Sequence, residues 1–378
     1  MRSMGEIGRL LAALGAGLML AACGTVAHPA SAAHPVRQAQ PATLATAVTR
    51  ELPRYGNPGG TATVPPAAKA VGTAHPRTVI GKGTPTLCTS AAVVRAVARG
   101  GIVTFNCGPS PVTITMTATA KVENTHRRTV LDGGGKVTLS GGGKVRILYM
   151  NTCDPKQHYT SGDCWEQKWP QLVVQNLTFV DAYSAVRQTA TSNYGGGAIF
   201  DEGGQLKVVN SGFIDDKCYR SGPDLGGGAI RALGMWQGSP VYITRDTFRG
   251  GRCSNGAALS SIDAKWDVFD SFFADNRAVG WGKNPRQPGT LGGGSGGAIY
   301  TDGDSYSVLI DGTIMRYNSA REGGGAIFFV VDAGAGTLTI EHSRLAHNPS
   351  GQFQNAPGIF DNVDGTDVQP VVIGPKPS

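Results

Sequence analysis

The chain has no apolar run long enough to cross a bilayer. Its one such run, residues 10–20, falls short of a membrane helix. It has no Cys-x-x-Cys pair and its seven His are scattered, which argues against a metal site built on cysteine. No Gly-Lys-Ser/Thr follows any of its glycine runs, so they are not phosphate loops. A Gly-x-Ser-x-Gly elbow is missing too; Gly293-Gly294-Ser295-Gly296-Gly297 comes near it, but in a repeat turn. The folded part also lacks a charge excess. Of 34 Lys and Arg, eight precede residue 86, and of 27 Asp and Glu, two do; that leaves 26 against 25. Such a balance offers nucleic acid no electrostatic footprint.

What is present begins with an export signal. Arg2 and Arg9 precede the apolar run, which ends in Leu20-Ala21-Ala22-Cys23. That ending resembles a bacterial lipobox, which implies a signal at 1–22, lipidation of Cys23 and a membrane anchored through that lipid. Ala30-Ser31-Ala32 offers an ordinary cleavage site as the alternative, and the protein would then be secreted. Residues 23–85 read as a disordered tether, since nine of the 22 prolines fall there with no periodic apolar pattern. As a coil such a segment reaches roughly 45 Å. Its basic residues suit anionic headgroups or wall polymers. Six further cysteines, Cys88, Cys107, Cys153, Cys164, Cys218 and Cys253, fit an oxidising compartment. They allow about fifteen pairings. Nearest neighbours (88 with 107, 153 with 164, 218 with 253) make the simplest set.

The dominant feature is self-similarity. Gly-Ala-(Ile/Ala) recurs at Gly197-Ala198-Ile199, Gly228-Ala229-Ile230, Gly256-Ala257-Ala258, Gly297-Ala298-Ile299 and Gly325-Ala326-Ile327, with alanines 31, 28, 41 and 28 residues apart. A second pattern aligns Phe179, Phe213, Phe248, Phe273, Met315 and Leu345. Five residues earlier stand Val174, Val208, Ile243, Val268, Ile310 and Ile340, and seven earlier Leu172, Leu206, Val241, Trp266, Val308 and Leu338. Apolar positions two apart mark half-buried strands. Asn276, Asn318 and Asn348 follow the last three copies and suit a stacked turn ladder. Thr89-Ser90 caps a helix over 91–99 that Gly100-Gly101 ends, and strands follow at 102–105, 112–122, 129–132, 137–139 and 145–149. Periodic units of this length predict stacked turns, with the helix plugging one end.

Together the GGA(I/L/V) and FxxN motifs resemble the repeats of polymorphic outer-membrane proteins. The opening, through Leu131-Asp132-Gly133-Gly134-Gly135 and Leu139-Ser140-Gly141-Gly142-Gly143, is similar to the N-terminal turns of pectin-lyase-like proteins. The resemblance implies an all-β chain: a single right-handed parallel β-helix over 86–378 with a short N-terminal capping helix. It does not imply one activity, because that superfamily includes lyases, glycosidases, esterases, adhesins and phage spikes. The FxxN Asn is absent from the first three copies, and no membrane β-barrel of adequate length follows the repeats.

The residue after each inward aliphatic should point outward: Phe200, Arg231, Leu259, Tyr300, Phe328 and Phe360. Rings at roughly 4.8 Å per turn would form a stripe that stacks on sugars, and Arg231 would pair with a carboxylate or sulfate. Asp201, Glu202, Asp302 and Asp304 would bond hydroxyls, with loops 151–170 and 277–295 as walls. Alternatively the stripe is covered by the tether, a long turn or another subunit, or simply stiffens the sheet. The expected function is binding of a polysaccharide or other surface polymer. A lyase or glycoside hydrolase in the same groove is one alternative, and a structural adhesin or spacer another. Of the Asn-Thr-Asp, Asp-Asp and Gly-His-Gly set that the resemblance would imply for a glycosidase, only Asp215-Asp216 is present, followed by Lys217. A lyase would use Lys217 or Arg231 as base, with Ca²⁺ held near Asp201 and Asp302. Asp361, Asp364 and Asp367 are a second candidate Ca²⁺ loop, off the EF-hand spacing.

Overall fold

A computed structural model describes residues 55–188 and 194–378. The signal at 1–22, Cys23 and the tether as far as residue 54 lie outside the described residues. What is described is a parallel β-solenoid. Its turns contribute strands to three sheets of 16, nine and five strands, and all but the C-terminal hairpin strand Thr366–Asp367 pair in parallel with strands of neighbouring turns.

Both aligned columns are rungs of the largest sheet. Val174 pairs with Val208, then Ile243, Val268, Ile310 and Ile340. Phe179 pairs with Phe213, Phe248, Phe273, Met315 and Leu345 in turn. Parallel pairing in register stacks like on like, so the four Phe rings lie face to face at 4.8, 4.7 and 4.8 Å. Each is almost wholly buried, and aligned rings at this spacing add to the energy of burial.

Between these columns the chain bends through a left-handed residue in every turn: Asn176, Asn210, Arg245, Asp270, Gly312 and His342 have φ between 47° and 62°. Inside the bend a polar ladder satisfies the backbone. The N–H groups of Leu177, Ser211, Asp246, Ser271 and Thr313 donate to the side chains of Ser211, Asp246, Ser271, Thr313 and Ser343, one turn along. The expected Asn ladder occupies the next corner: Gly251 N–H donates to Asn276 Oδ1, Asn276 to Asn318, and Asn318 to Asn348. Of its three missing early members Asp216 replaces one: its Oδ1 accepts from Ala182 N–H in the same way.

The GGAI strands form the nine-stranded sheet. Ile199 pairs with Ile230, Leu259, Ile299, Ile327 and Ile359. The third copy is therefore displaced by one residue from the sequence alignment. Leu259, not Ala258, joins the inward column, and Ser260, not Leu259, joins the outward row. The turn glycine explains this. Gly256 has φ +45°, matching Gly196, Gly227, Gly296 and Gly324, whereas the position after it needs no positive φ and accepts Ala257.

Helix Ser90–Arg99 closes the N-terminal end as expected. Thr89 Oγ1 accepts from Ala92 N–H, Gly100 ends the helix at φ 65°, and Val93, Ala96 and Val97 join the core. The expected strand over 112–122 is two, Val112–Thr115 and Ala120–Lys121, and 129–139 belongs to one, Arg128–Ser140, whose register shifts across the glycines. All three nearest-neighbour disulfides form, with Cα–Cα separations of 5.9, 5.0 and 4.7 Å.

The disorder expected over 23–85 does not hold for residues 55–85. Residues 55–80 run along the outer face of the largest sheet as an ordered strap. Gly56 N–H donates to Thr247, Ala62 N–H to Asp270, and Gln175 bonds both the N–H and C=O of Val71. Thr73 reaches Asp132, and strand Thr78–Ile80 pairs with Gly101–Phe105. A Pro- and Ala-rich segment has no core of its own. This one is held by polar side chains of the sheet, a source of order that hydrophobic periodicity does not report.

Candidate functional site

The outward row of the GGAI sheet reads Tyr149, Phe200, Arg231, Ser260, Tyr300, Phe328 and Phe360. It lies on one face and outside the central core, as the alternation requires. It is not an open stripe. Phe200, Arg231 and Tyr300 are completely buried and Phe328 is 4% exposed. Surrounding turns cover it. Arg146 lies 4.9 Å over the Phe200 ring and donates to the carbonyls of Gly195 and Gly196. Tyr194 packs 5.5 Å from the Arg231 guanidinium, whose Nη1 donates to Ser260 Oγ. With no exposure, Arg231 can neither take a ligand carboxylate nor act as a base. Its burial also holds its pKa below the usual Arg range.

Only the end of the row, the half-buried Phe360 with the rim of Phe328, borders open space among the described residues. Tyr300 stacks on Phe328 at 4.9 Å and Phe328 on Phe360 at 5.3 Å, while Phe353 stands edge-on to both phenylalanines. Beside them opens a cleft of about 570 Å³, lined by Phe328, Phe353, Phe360, Val330, Asp302, Asp332, Asn284, Asn362, Asp367, Lys283 and Pro285. This size suits a small ligand or the end of a polymer. Loop 277–295 forms the wall, with Lys283 over the Phe353 ring at 4.9 Å. The other expected wall, loop 151–170, sits at the opposite end, where Trp165 and Asn151 both donate to Glu202.

Asp302 is the best-positioned acid. Its Oδ2 accepts from Tyr300 OH and from Asn284 Nδ2, each at 2.6 Å, and its Oδ1 accepts from Gly303 N–H. Burial, aided by the charges of Asp332 and Asp224 and opposed by the Tyr300 hydrogen bond, pushes its pKa up to about 6. Burial and the neighbouring acids Asp304, Asp263 and Asp224 also raise Asp332. The cleft thus pairs an aromatic floor with two carboxylates whose protonation is shifted toward neutral pH. That suits hydroxyl recognition and proton donation.

The remaining candidates disperse. Asp201 alternates with Phe200 and points into the core between Met150 and Ala232. It is completely buried, and neither carboxylate oxygen has a hydrogen-bond partner, so it is not a ligand contact. Asp304 is exposed beside Asp263. Asp215 occupies a left-handed turn, Asp216 is a buried rung of the corner ladder, and Lys217 lies on a short strand paired with Tyr183 and Arg252, so no catalytic group assembles there. Asp361 is buried, Asp364 sits in a hairpin turn, and Asp367 accepts from Asn362; the three do not gather into a Ca²⁺ loop. The set that does converge among the described residues is Asp311, Glu341 and His342, with ligand atoms within 4.8 Å of one another. Such a mixed oxygen and nitrogen set suits a first-row divalent ion. Asn284, Asp332, Phe353 and Asn362 went unnoticed in the sequence. All lie outside the aligned windows, and the one pointer was the long insertion that carries Asn284.

Fold and site define a parallel β-solenoid with an aromatic, carboxylate-bearing cleft on its GGAI sheet. No family model, curated protein or solved structure matches the chain.

Proposed function

We propose that this is an exported protein of the pectin-lyase-like, right-handed kind, held at the bacterial membrane by lipid on Cys23, that binds a polysaccharide chain in the cleft at Asp302. The observation that carries the reading is the cleft that Phe328, Phe353 and Phe360 line beside Asp302, Asn284 and Asn362. The open ring surface of the half-buried Phe353 and Phe360 takes the C–H face of a sugar, and the acid and amides take its hydroxyls. Three disulfides support an extracytoplasmic location. The lining carries three Asp against one Lys, which favours neutral or amino sugars over acidic ones.

The raised pKa of Asp302 beside Asp332 favours one second reading, glycoside hydrolysis with Asp302 as general acid. One experiment separates the two. The full chain is incubated with a neutral and amino-sugar polysaccharide panel, and both retention and new reducing ends are measured. Retention without product, lost in Phe360→Ala, supports binding. Product formation abolished by Asp302→Asn supports hydrolysis. Neither retention nor product rejects both and leaves a spacer or adhesin.

A further inference from the structure

A second cleft, of opposite electrostatic character, opens on the largest sheet near the capped end. It encloses about 590 Å³ and is lined by Arg127, Arg128, Lys168, Trp169, Trp236, Gln171 and Gln205. Neither the aromatic row nor the aligned columns include these residues. We propose that this cleft binds an acidic oligosaccharide, a uronate-bearing chain, independently of the cleft at Asp302.

The sheet builds its floor. Arg128, Gln171 and Gln205 are paired in register on three successive turns, so one cation and two amides stand in a row along the column. They point outward because the next residues, Thr129, Leu172 and Leu206, are buried. Two loops supply the walls. Loop 151–170, pinned by the Cys153–Cys164 disulfide, brings Lys168 and Trp169, and Gln205 Nε2 donates to the Lys168 carbonyl. The short turn Trp236–Gly238 brings Trp236, with its N–H bonded to the Gly204 carbonyl.

Each indole already meets a cation. Arg127 lies 5.5 Å from the Trp169 ring and Lys168 4.6 Å from the Trp236 ring. Trp169 remains 38% exposed. This is the complement of an acidic sugar. Indoles take the C–H face of the ring, and Arg and Lys exchange cation–π contacts for charge-assisted bonds to its carboxylate. The Gln amides reach hydroxyls. No Asp or Glu lines the cleft, so nothing repels a polyanion. On the loop wall, the Glu166 carboxylate accepts from Gln237 N–H.

The cleft also continues along the strap. Arg128, Gln171 and Gln205 line a neighbouring cavity of about 440 Å³ whose other side is strap residues 66–71. Lys207 fastens that side by donating to the carbonyls of Ala67 and Lys69. A chain longer than one sugar therefore has a path.

The test is calorimetric titration of the full chain with tetrasaccharides of galacturonate, of guluronate, and of alternating glucuronate and N-acetylglucosamine. Carboxyl-reduced tetragalacturonate and polyphosphate are the controls. The expected result is binding of at least one uronate, weakened tenfold or more by Arg128→Ala and by Trp236→Ala, weakened by salt, and unchanged in Phe360→Ala. Equal binding of the carboxyl-reduced sugar would refute the role of charge. Polyphosphate bound while no uronate binds would reduce the cleft to an anion patch. Absence of uronate binding, or its survival in both variants, overturns the proposal. All three substituted residues lie at least partly on the surface, and unchanged circular dichroism confirms their folding. Loss in Phe360→Ala instead would assign uronate binding to the first cleft.

Discussion

Asp201 makes the strongest physical demand on this fold. It is completely buried between Met150 and Ala232, and both carboxylate oxygens lack partners. Burial, reinforced by the Glu202 charge, raises its pKa well above the usual Asp value. An unfolded Asp ionises near about 3.9. Because the native pKa is the higher one, Asp201 favours the fold fully below pH ~3.9. That contribution is lost as pH rises from there toward the native value. Over this window one group lowers stability by ~1.4 kcal/mol per pH unit. Asp216 and Asp246, also buried and raised, act in the same direction. Urea unfolding of the full chain, disulfides intact, measures this between pH 4.5 and 7. Asp201→Asn should flatten the slope by up to ~1.4 kcal/mol per unit. Asp201→Leu should flatten it equally and, with no unpaired polar group left, gain about 1–3 kcal/mol at pH 7. Stability that rises over this range, with the Asp201→Asn curve parallel to wild type, would refute the reasoning.

Phe248→Ala opens the middle of the four-ring stack and should cost about 3–5 kcal/mol by urea unfolding, whereas Phe360→Ala, at the half-buried rim of the cleft, should cost less than half of that. Glycan retention at the first cleft, or turnover if it occurs, should change with a midpoint near pH 6, where Asp302 passes between its acid and carboxylate forms; Asp302→Asn should lose that midpoint while keeping its fold.

Residues 174 to 345 carry their own register in the repeat. Two apolar positions at fixed spacing from an aligned Phe were enough to place every rung from Val174 to Ile340, since parallel in-register pairing requires equivalent residues to meet. The third GGAI copy failed by one residue because Ala257 at a non-turn position hid where the turn glycine lay. Asp201 follows Phe200 on the strand, so the period of two that turns the ring outward turns the carboxylate into the core.

The amino-acid sequence by itself determined the column, its capping helix and its like-on-like ladders, whereas the choice among the possible cysteine pairings came from the assembled turns. The column, helix and ladders depend on local period and spacing, which stacking converts directly into contacts. Tertiary structure alone decided which parts of the outward face stay open. Loops 151–170 and 277–295 fold back over the sheets through hydrogen bonds to other turns, as Trp165 to Glu202 and Gly282 to Glu322 illustrate, and the strap at 55–80 does so through bonds to residues a hundred or more positions away, as with Val71 to Gln175 and Ala62 to Asp270. Such contacts leave no period behind, so the covered row, the cleft at Asp302 and the basic cleft at Arg128 emerge only when the turns are assembled.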